Sequence, residues 1–109
     1  MANQDSGIPV TLQGASGNTY SFKAYPQNSS WAAVSGVYAI LRQSSAGSVL
    51  YVGETENLAN RMASHHRQAC FDRNGWTHLA FLHESTTAGR KAIEKDVMDS
   101  YKPQCNREV

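Results

Sequence analysis

The stretch SGVYAILRQSSAGSVLYVGETENLANRM, from Ser35 to Met62, holds most of the information about the fold of this chain. Val37 to Leu41 and Val49 to Val52 are rich in β-branched and aromatic residues, which favour strands. The serine- and glycine-rich segment between them is typical of a hairpin loop. Both faces of these two strands are apolar, so we expect a sheet that is covered on more than one side.

Three further elements are predicted after this hairpin. Thr55 stands where a helix N-cap is expected, and apolar residues follow at helical spacing to about Cys70. Trp76 to His83 alternates again and predicts a third strand. A last helix is predicted from about Ala88 to Ser100, because a proline that a helix interior does not tolerate follows soon after.

The first 31 residues predict a separate hairpin. Val10 to Leu12 and Tyr20 to Ala24 alternate apolar and polar residues around a glycine-containing turn. We therefore divide the chain into an N-terminal extension, residues 1–31, packed on the core, and a domain of residues 32–109. The predicted fold class is α+β, with a small antiparallel three-stranded sheet flanked by helices in the order ββαβα and an additional N-terminal β-hairpin.

Composition limits the possible functions. A length of 109 residues fits one domain, and 40% apolar residues is ordinary for a globular protein. The net charge of +1 argues against strong non-specific attraction to nucleic acid, although Asn57 to Phe71 is a local basic patch. No run approaches the roughly 18 apolar residues that span a bilayer. We expect no signal peptide, no membrane association and a cytoplasmic location, in which Cys70 and Cys105 remain thiols.

A carboxylate on the last predicted helix is unusual. Ile93, Val97 and Tyr101 form the apolar stripe of this helix, and Glu94 lies within it. An inward carboxylate is unfavourable unless it is paired or binds a metal. Glu94 is therefore either the partner of Arg90, one turn earlier, or a functional residue.

The middle predicted helix carries three polar residues on one face. Asn57, Arg61 and His65 are spaced four apart, so a single helix would stack them. An arginine is a permanent cation suited to phosphate, and a histidine exchanges protons near neutral pH. The alternative interpretation is an ordinary solvated face.

Several short motifs occur in a specific order. The triplets Gly36-Val37-Tyr38 and Tyr51-Val52-Gly53 are followed by Asn57-Leu58-Ala59-Asn60-Arg61. Together with residues further on, they resemble the GIY-YIG nuclease family from Gly36 to Asn106, with valine in place of isoleucine in both triplets. In this resemblance three further positions match the family's histidine, its metal-binding glutamate and its closing asparagine: His65, Glu94 and Asn106.

The resemblance implies a divalent-metal-dependent endonuclease that hydrolyses phosphodiester bonds in DNA. Glu94 would hold the metal, expected to be Mg²⁺ with Mn²⁺ as a substitute, and Arg61 would donate to the phosphate oxygens. Tyr38 would accept the proton of the attacking water, and His65 could relay it. Tyr51 would hydrogen-bond the phosphate or the water. The resemblance favours Tyr38 over Tyr51 as the base, but the choice stays open here.

We also expect a second group of residues to bind substrate or position the site. Glu54, directly after the second triplet, departs from the small or polar residue that is usual there, and it either repels a phosphate or faces away from it. The expected partner is nucleic acid, with DNA favoured over RNA, and a partner protein or a homodimer is left open. The second group consists of Gly53, Asn57, Arg90, Lys91 and Asn106. For Arg90 and Lys91, which are chosen for their nearness to Glu94, the alternative is an ordinary solvated role.

Two other classes of function compete with the nuclease. The first is a catalytically silent nucleic-acid-binding module, and the second is a protein-interaction module whose N-terminal hairpin docks a partner. Specific binding to DNA normally needs a more basic protein surface than a net charge of +1 provides. The presence of every catalytic side-chain type argues against the silent module, because a pure binder has no need for Glu94. Against the docking hairpin stands the apolar character of Val10 to Tyr25, which suits packing on the core.

Overall fold

The structure is a computed structural model that describes residues 7–44 and 48–107. Its strands are β1 (Ile8–Gln13), β2 (Thr19–Pro26), β3 (Gly36–Leu41), β4 (Val49–Thr55) and β5 (His78–His83). Its helices are α1 (Leu58–Ala63), α2 (Gln68–Arg73), α3 (Thr87–Tyr101) and α4 (Gln104–Arg107). The tip of the loop predicted between β3 and β4, residues 45–47, lies outside the described residues.

The strands form one antiparallel sheet in the order β1-β2-β5-β3-β4. The α+β class with helices flanking an antiparallel sheet is confirmed. The sheet has five strands rather than three, because the N-terminal hairpin joins it edge to edge: Lys23 pairs with Phe81 and Tyr25 with Leu79. Alternation predicts each hairpin, but it does not say which strand edge the hairpin extends.

The core lies on both faces of the sheet, as the apolar character of β3 and β4 predicts. One face carries Tyr38 and Tyr51 and packs against α1, α2 and α4 through residues such as Phe71. The other face carries Val37 and packs against α3 together with apolar residues of β1 and β2. Alternation along β3 and β4 therefore places the two tyrosines on the same side.

The single middle helix predicted to about Cys70 is wrong. The chain instead forms α1 and α2, with residues 64–67 between them. The N-cap of α1 is Asn57, whose side chain accepts a hydrogen bond from the Asn60 N–H, and Thr55 belongs to β4. His65 lies in the connection, where its ring accepts a hydrogen bond from the Arg67 N–H. This local bond gives the chain an alternative to continued helix.

The last helix agrees closely with its prediction. The Thr86 side chain caps α3 by accepting a hydrogen bond from the Gly89 N–H. Lys102 takes a left-handed conformation with φ 47°, and its N–H donates to the Met98 carbonyl, which ends the helix before Pro103.

The prediction that both cysteines remain thiols is wrong. Cys70 of α2 and Cys105 of α4 form a disulfide, and both are buried. Their separation of 35 residues carries no recognisable spacing pattern, so only the packing of α4 beside α2 brings them together.

Among the described residues, no helix combines the length and the apolar character that crossing a bilayer requires.

Candidate active site

The site is centred on the phenolic oxygen of Tyr38. The Oη atom lies 2.7 Å from His65 Nε2 and 3.4 Å from Arg61 Nη1. The Tyr51 ring lies beside it, with centroids 6.0 Å from Tyr38 and 5.1 Å from His65. β3 and β4 supply the phenols, the end of α1 supplies the guanidinium, and the connection to α2 supplies the imidazole. The fold thus brings together four of the five predicted catalytic residues.

The hydrogen bonds of His65 define its tautomer. Nδ1 accepts from the Arg67 N–H at 3.0 Å, and a backbone N–H can only donate. In the neutral ring the proton therefore sits on Nε2, which donates to Tyr38 Oη. Arg67 lies outside the motifs of the sequence, and only its main chain contributes this bond. The identity of residue 67 therefore could not have indicated this hydrogen bond.

Burial keeps His65 neutral. His65 is 7% exposed, and burial, assisted by the charges of His66, Arg61 and Arg67, lowers the pKa of its ring to about 4. Burial also raises the pKa of Tyr38, with a further contribution from Tyr51, while the hydrogen bond and charge of Arg61 oppose the rise. Tyr38 Oη thus receives two hydrogen bonds, one of them charge-assisted, which is the arrangement that favours a developing phenolate.

Glu94 of α3 lies within electrostatic reach of Arg61, Tyr51 and Glu54. It is half-buried, and its pKa is raised by burial and then by the negative charge of Glu54, while Lys91, Arg61 and a hydrogen bond from the Glu54 main chain lower it. The ion pair with Arg90 that competed with a functional role is not formed. The Arg90 guanidinium instead binds Glu54, with Nε 2.8 Å from Oε1.

Glu54 turns its carboxylate away from the tyrosines and toward α3. Its Oε2 lies 3.4 Å from Lys91 Nζ, in addition to the Arg90 contact. Burial raises the pKa of Glu54, but the hydrogen bonds and charges of Arg90 and Lys91 outweigh it, so that the net pKa is lowered. The Glu54 carbonyl oxygen also accepts a hydrogen bond from Arg61 Nη1 at 3.3 Å. The residue therefore connects the arginine of α1 to the first turns of α3.

The Arg90 guanidinium, predicted to bind substrate or to position the site, is occupied by acceptors of the protein itself. Arg90 is 3% exposed, and its guanidinium also donates to the Ser85 carbonyl at 2.9 Å and to Thr87 Oγ1 at 3.1 Å. These acceptors fix the first turn of α3 against β4. Lys91, by contrast, is 64% exposed.

The glycines of the two triplets provide space. A Cβ atom on Gly53 would lie 2.7 Å from Tyr38 Oη and 2.9 Å from Tyr51 Cε2. A Cβ atom on Gly36 would meet the Leu82 carbonyl oxygen. Gly53 thus leaves room for the Tyr38 phenol, and Gly36 allows β3 to approach β5 closely.

Two asparagines hold elements beside the site. Asn106 accepts a hydrogen bond from the Val52 N–H at 2.8 Å and donates to the Val52 carbonyl at 2.9 Å, so that it fixes α4 on the edge of β4 between Tyr51 and Gly53. Asn57 caps α1 and so places Arg61, three residues after the helix begins. Both contacts suit the positioning roles that the sequence predicts.

A model of the GIY-YIG catalytic domain matches residues 34–107. The chain belongs to the GIY-YIG family. No curated protein and no solved structure matches the chain. Membership of the GIY-YIG family supports a nuclease-type function and nucleic acid as the partner. The match begins beyond the N-terminal hairpin, so β1 and β2 lie outside the family's catalytic domain.

The residues that could hold a metal in this GIY-YIG domain are few. No cluster of three or more histidine, cysteine, aspartate or glutamate side chains suited to a metal ion occurs within residues 7–44 and 48–107. A single carboxylate nevertheless suits Mg²⁺, which usually keeps several waters and binds one or two carboxylates together with substrate phosphate. Glu94 fits this description as a half-buried carboxylate close to a second acidic side chain, Glu54.

Proposed function

We propose that this GIY-YIG domain is a metal-dependent endonuclease that hydrolyses phosphodiester bonds in DNA. The observation that carries the proposal is the pair of hydrogen bonds that converge on Tyr38 Oη, from His65 Nε2 and Arg61 Nη1. A buried phenol with two donors is poorly explained by stability alone, but it suits an oxygen that gains negative charge during a reaction.

In this mechanism Tyr38 is the general base. It acts as its phenolate, formed by loss of the phenolic proton to water and stabilised by the donors His65 Nε2 and Arg61 Nη1. The Tyr38 phenolate then takes a proton from the attacking water and returns to the neutral phenol, while the hydroxide so formed attacks the phosphate. His65 is a donor to Tyr38 in its neutral form, so it orients the phenol rather than relaying the proton.

Arg61 and Glu94 complete the chemistry. Arg61 reaches Tyr38 on one side and lines an open polar pocket on the other, so it can neutralise the charge on the non-bridging phosphate oxygens. Glu94 would hold Mg²⁺, or Mn²⁺ in its place. When bound, such a cation supplies Lewis acidity for the phosphate and the leaving 3′ oxygen.

Cleavage of matched duplex, single-stranded, flap and junction DNA with Mg²⁺ tests the proposal. We expect cleavage that EDTA abolishes and that Glu94→Ala removes while DNA binding persists. Asp99→Ala serves as a matched control, because Asp99 lies on the same helix and pairs with the exposed Lys95.

Two outcomes would contradict the proposal in different ways. Cleavage that survives both EDTA and Glu94→Ala would exclude this mechanism. Binding without cleavage of any substrate would instead favour the silent nucleic-acid-binding module.

A further inference from the structure

A polar pocket of about 500 Å³ opens between α1 and the first turns of α3. Its volume lies within the range of roughly 300–1,000 Å³ that is typical of ligand sites. Among the described residues that line it, none is aromatic, so it offers no platform on which a base could stack. Amide, hydroxyl and cationic side chains line it from both helices, among them Asn57, Asn60, Arg61, Ser64, Thr87 and Lys91. Two carboxylates, Glu54 and Glu56, also line it, and both lie near the guanidinium of Arg90.

These side chains are the types that contact nucleic-acid backbone. Phosphate oxygens and sugars accept most protein–DNA hydrogen bonds, chiefly from arginine, lysine, serine, threonine and asparagine. Arg61 belongs to both this pocket and the Tyr38 cluster, so the two adjoin, and a strand whose reacting phosphate lies at Tyr38 can extend into the pocket.

Lys91 is the cation placed for the next phosphate. It precedes Glu94 by three residues on α3, and residues at this spacing are neighbours, with Cβ atoms about 5–6 Å apart. Its side chain is 64% exposed, whereas Arg90 is 3% exposed and bound to protein acceptors. The present partner of Lys91 is Glu54, at 3.4 Å, and such a pair at the surface contributes only about 0–1 kcal/mol. A phosphate can therefore displace Glu54 from Lys91.

We propose that this pocket is a second phosphate subsite, which binds the backbone phosphate next to the one that is cleaved. Lys91 exchanges Glu54 for this phosphate, and Asn60 and Ser64 donate to it from the opposite wall. Arg90 holds the Glu54 carboxylate in place, so Glu54 competes with the substrate for Lys91 and sets the strength of binding. The subsite rests on the proposed nuclease function and implies that the backbone, rather than base identity, is recognised.

The salt dependence of binding tests the subsite. Affinity for a labelled duplex is measured in EDTA, without turnover, at several salt concentrations. Loss of one phosphate contact changes the slope of log K against log salt by about 0.9. We expect Lys91→Ala to weaken binding and reduce the slope by this amount. Lys95→Ala, on the same helix and paired with Asp99, should leave the slope unchanged.

Glu54→Gln tests the competition directly. The amide oxygen of glutamine can still accept from Arg90, while the charge that holds Lys91 is removed. We expect tighter binding in this variant, by a few-fold, and no such gain when Lys91→Ala is combined with it. Equal affinities for duplexes of unrelated sequence are expected for a backbone site.

The outcomes separate the subsite from the nuclease. An unchanged slope in Lys91→Ala, an equal loss in Lys95→Ala, or a strong base preference that Asn60→Ala removes would each overturn the subsite. A slope that changes as expected in a protein that never cleaves DNA with Mg²⁺ would overturn the nuclease function and support the subsite.

Discussion

At the scale of single residues, Tyr38 depends on the residue opposite it in the β3–β4 ladder. Gly53 is its register partner, and the phenol occupies the space where any other side chain would begin. The second triplet is therefore not only a turn or strand signal. Its glycine, Gly53, leaves space for the Tyr38 phenol, and its tyrosine, Tyr51, places a ring beside it.

Substituting Gly53 tests this dependence. Gly53→Ala should displace the Tyr38 phenol and lower cleavage by on the order of 100-fold, as expected for a misplacement near 1 Å. Overpacking should also reduce the free energy of unfolding by about 1–3 kcal/mol.

Gly17→Ala provides the matched control for this substitution. Its φ of 97° strains any side chain, but no atom lies within 4 Å of the added Cβ, so it should reduce stability with cleavage retained. Equal cleavage by the two variants would contradict the role of Gly53.

The neutral imidazole of His65 predicts a pH dependence of stability. Its pKa is about 4 in the folded protein against 6.5 ordinarily, so between these values the unfolded chain binds more protons. The free energy of unfolding should fall as pH decreases from 6.5 toward 4, by at most about 1.4 kcal/mol per pH unit from this group.

Urea unfolding of the wild type and His65→Gln at pH 7, 6 and 5 measures the contribution. The variant should show a flatter dependence, whereas His83→Gln, which alters an exposed histidine, should follow the wild type. Parallel curves for all three proteins would contradict a buried neutral His65.

At the scale of elements, α2 and α4 support the site from one side of the sheet. Phe71 of α2 contacts both His65 and Tyr51, with ring centroids 4.8 Å and 5.4 Å apart. Asn106 of α4 holds the main chain of Val52. The Cys70–Cys105 disulfide joins these two short helices, neither of which is long enough to be stable alone.

Reduction of the disulfide should loosen α4. Closing a loop of this length contributes about 4 kcal/mol in the chain-entropy model. We expect dithiothreitol, or the double variant Cys70→Ser/Cys105→Ser, to lower the urea midpoint and to reduce cleavage as Asn106 leaves β4. The reductant should have no further effect on the double variant. A wild-type midpoint that is indifferent to the reductant would argue against the bond.

At the scale of the whole molecule, the N-terminal hairpin is part of the sheet rather than an appendage. Beyond its pairing with β5, the turn between β1 and β2 is held on α3: the Ser16 N–H donates to Asp96 Oδ1 at 2.9 Å, and Tyr20 Oη donates to Oδ2 at 2.7 Å. Asp96 lies two residues from Glu94. The hairpin therefore supports the helix that carries the proposed metal ligand.

Removing residues 1–30 should unfold the domain. The truncated chain would expose the edge of β5 that pairs with β2. It would also expose the apolar residues of α3, such as Val97, that pack in one cluster with Val10, Leu12 and Phe22. We expect an aggregated or unfolded product by size exclusion and circular dichroism, and a smaller loss of stability in Asp96→Asn. A folded, monomeric and active truncated protein would instead support the division at residue 31 and a docking role for the hairpin.

Much of this architecture follows from local patterns. Alternation, turn residues and capping predict the strands and α3, since these depend on neighbours within a few residues. The set of chemical groups, from Tyr38 to Glu94, also follows from the order of short motifs. The break between α1 and α2 does not follow from local patterns. It depends on the hydrogen bond from the Arg67 N–H to the His65 ring, which helix propensities do not include.

Contacts between distant segments depend on the tertiary structure alone. Three of these contacts join groups whose separation in the chain carries no periodic signal: the pairing of β2 with β5, the Cys70–Cys105 bond, and the ion pair of Arg90 with Glu54 instead of Glu94. The tautomer of His65 is set by the main chain of another residue, Arg67. The physical reason is that local periodicity specifies which face a residue occupies, whereas its partner on that face is decided by how the elements pack.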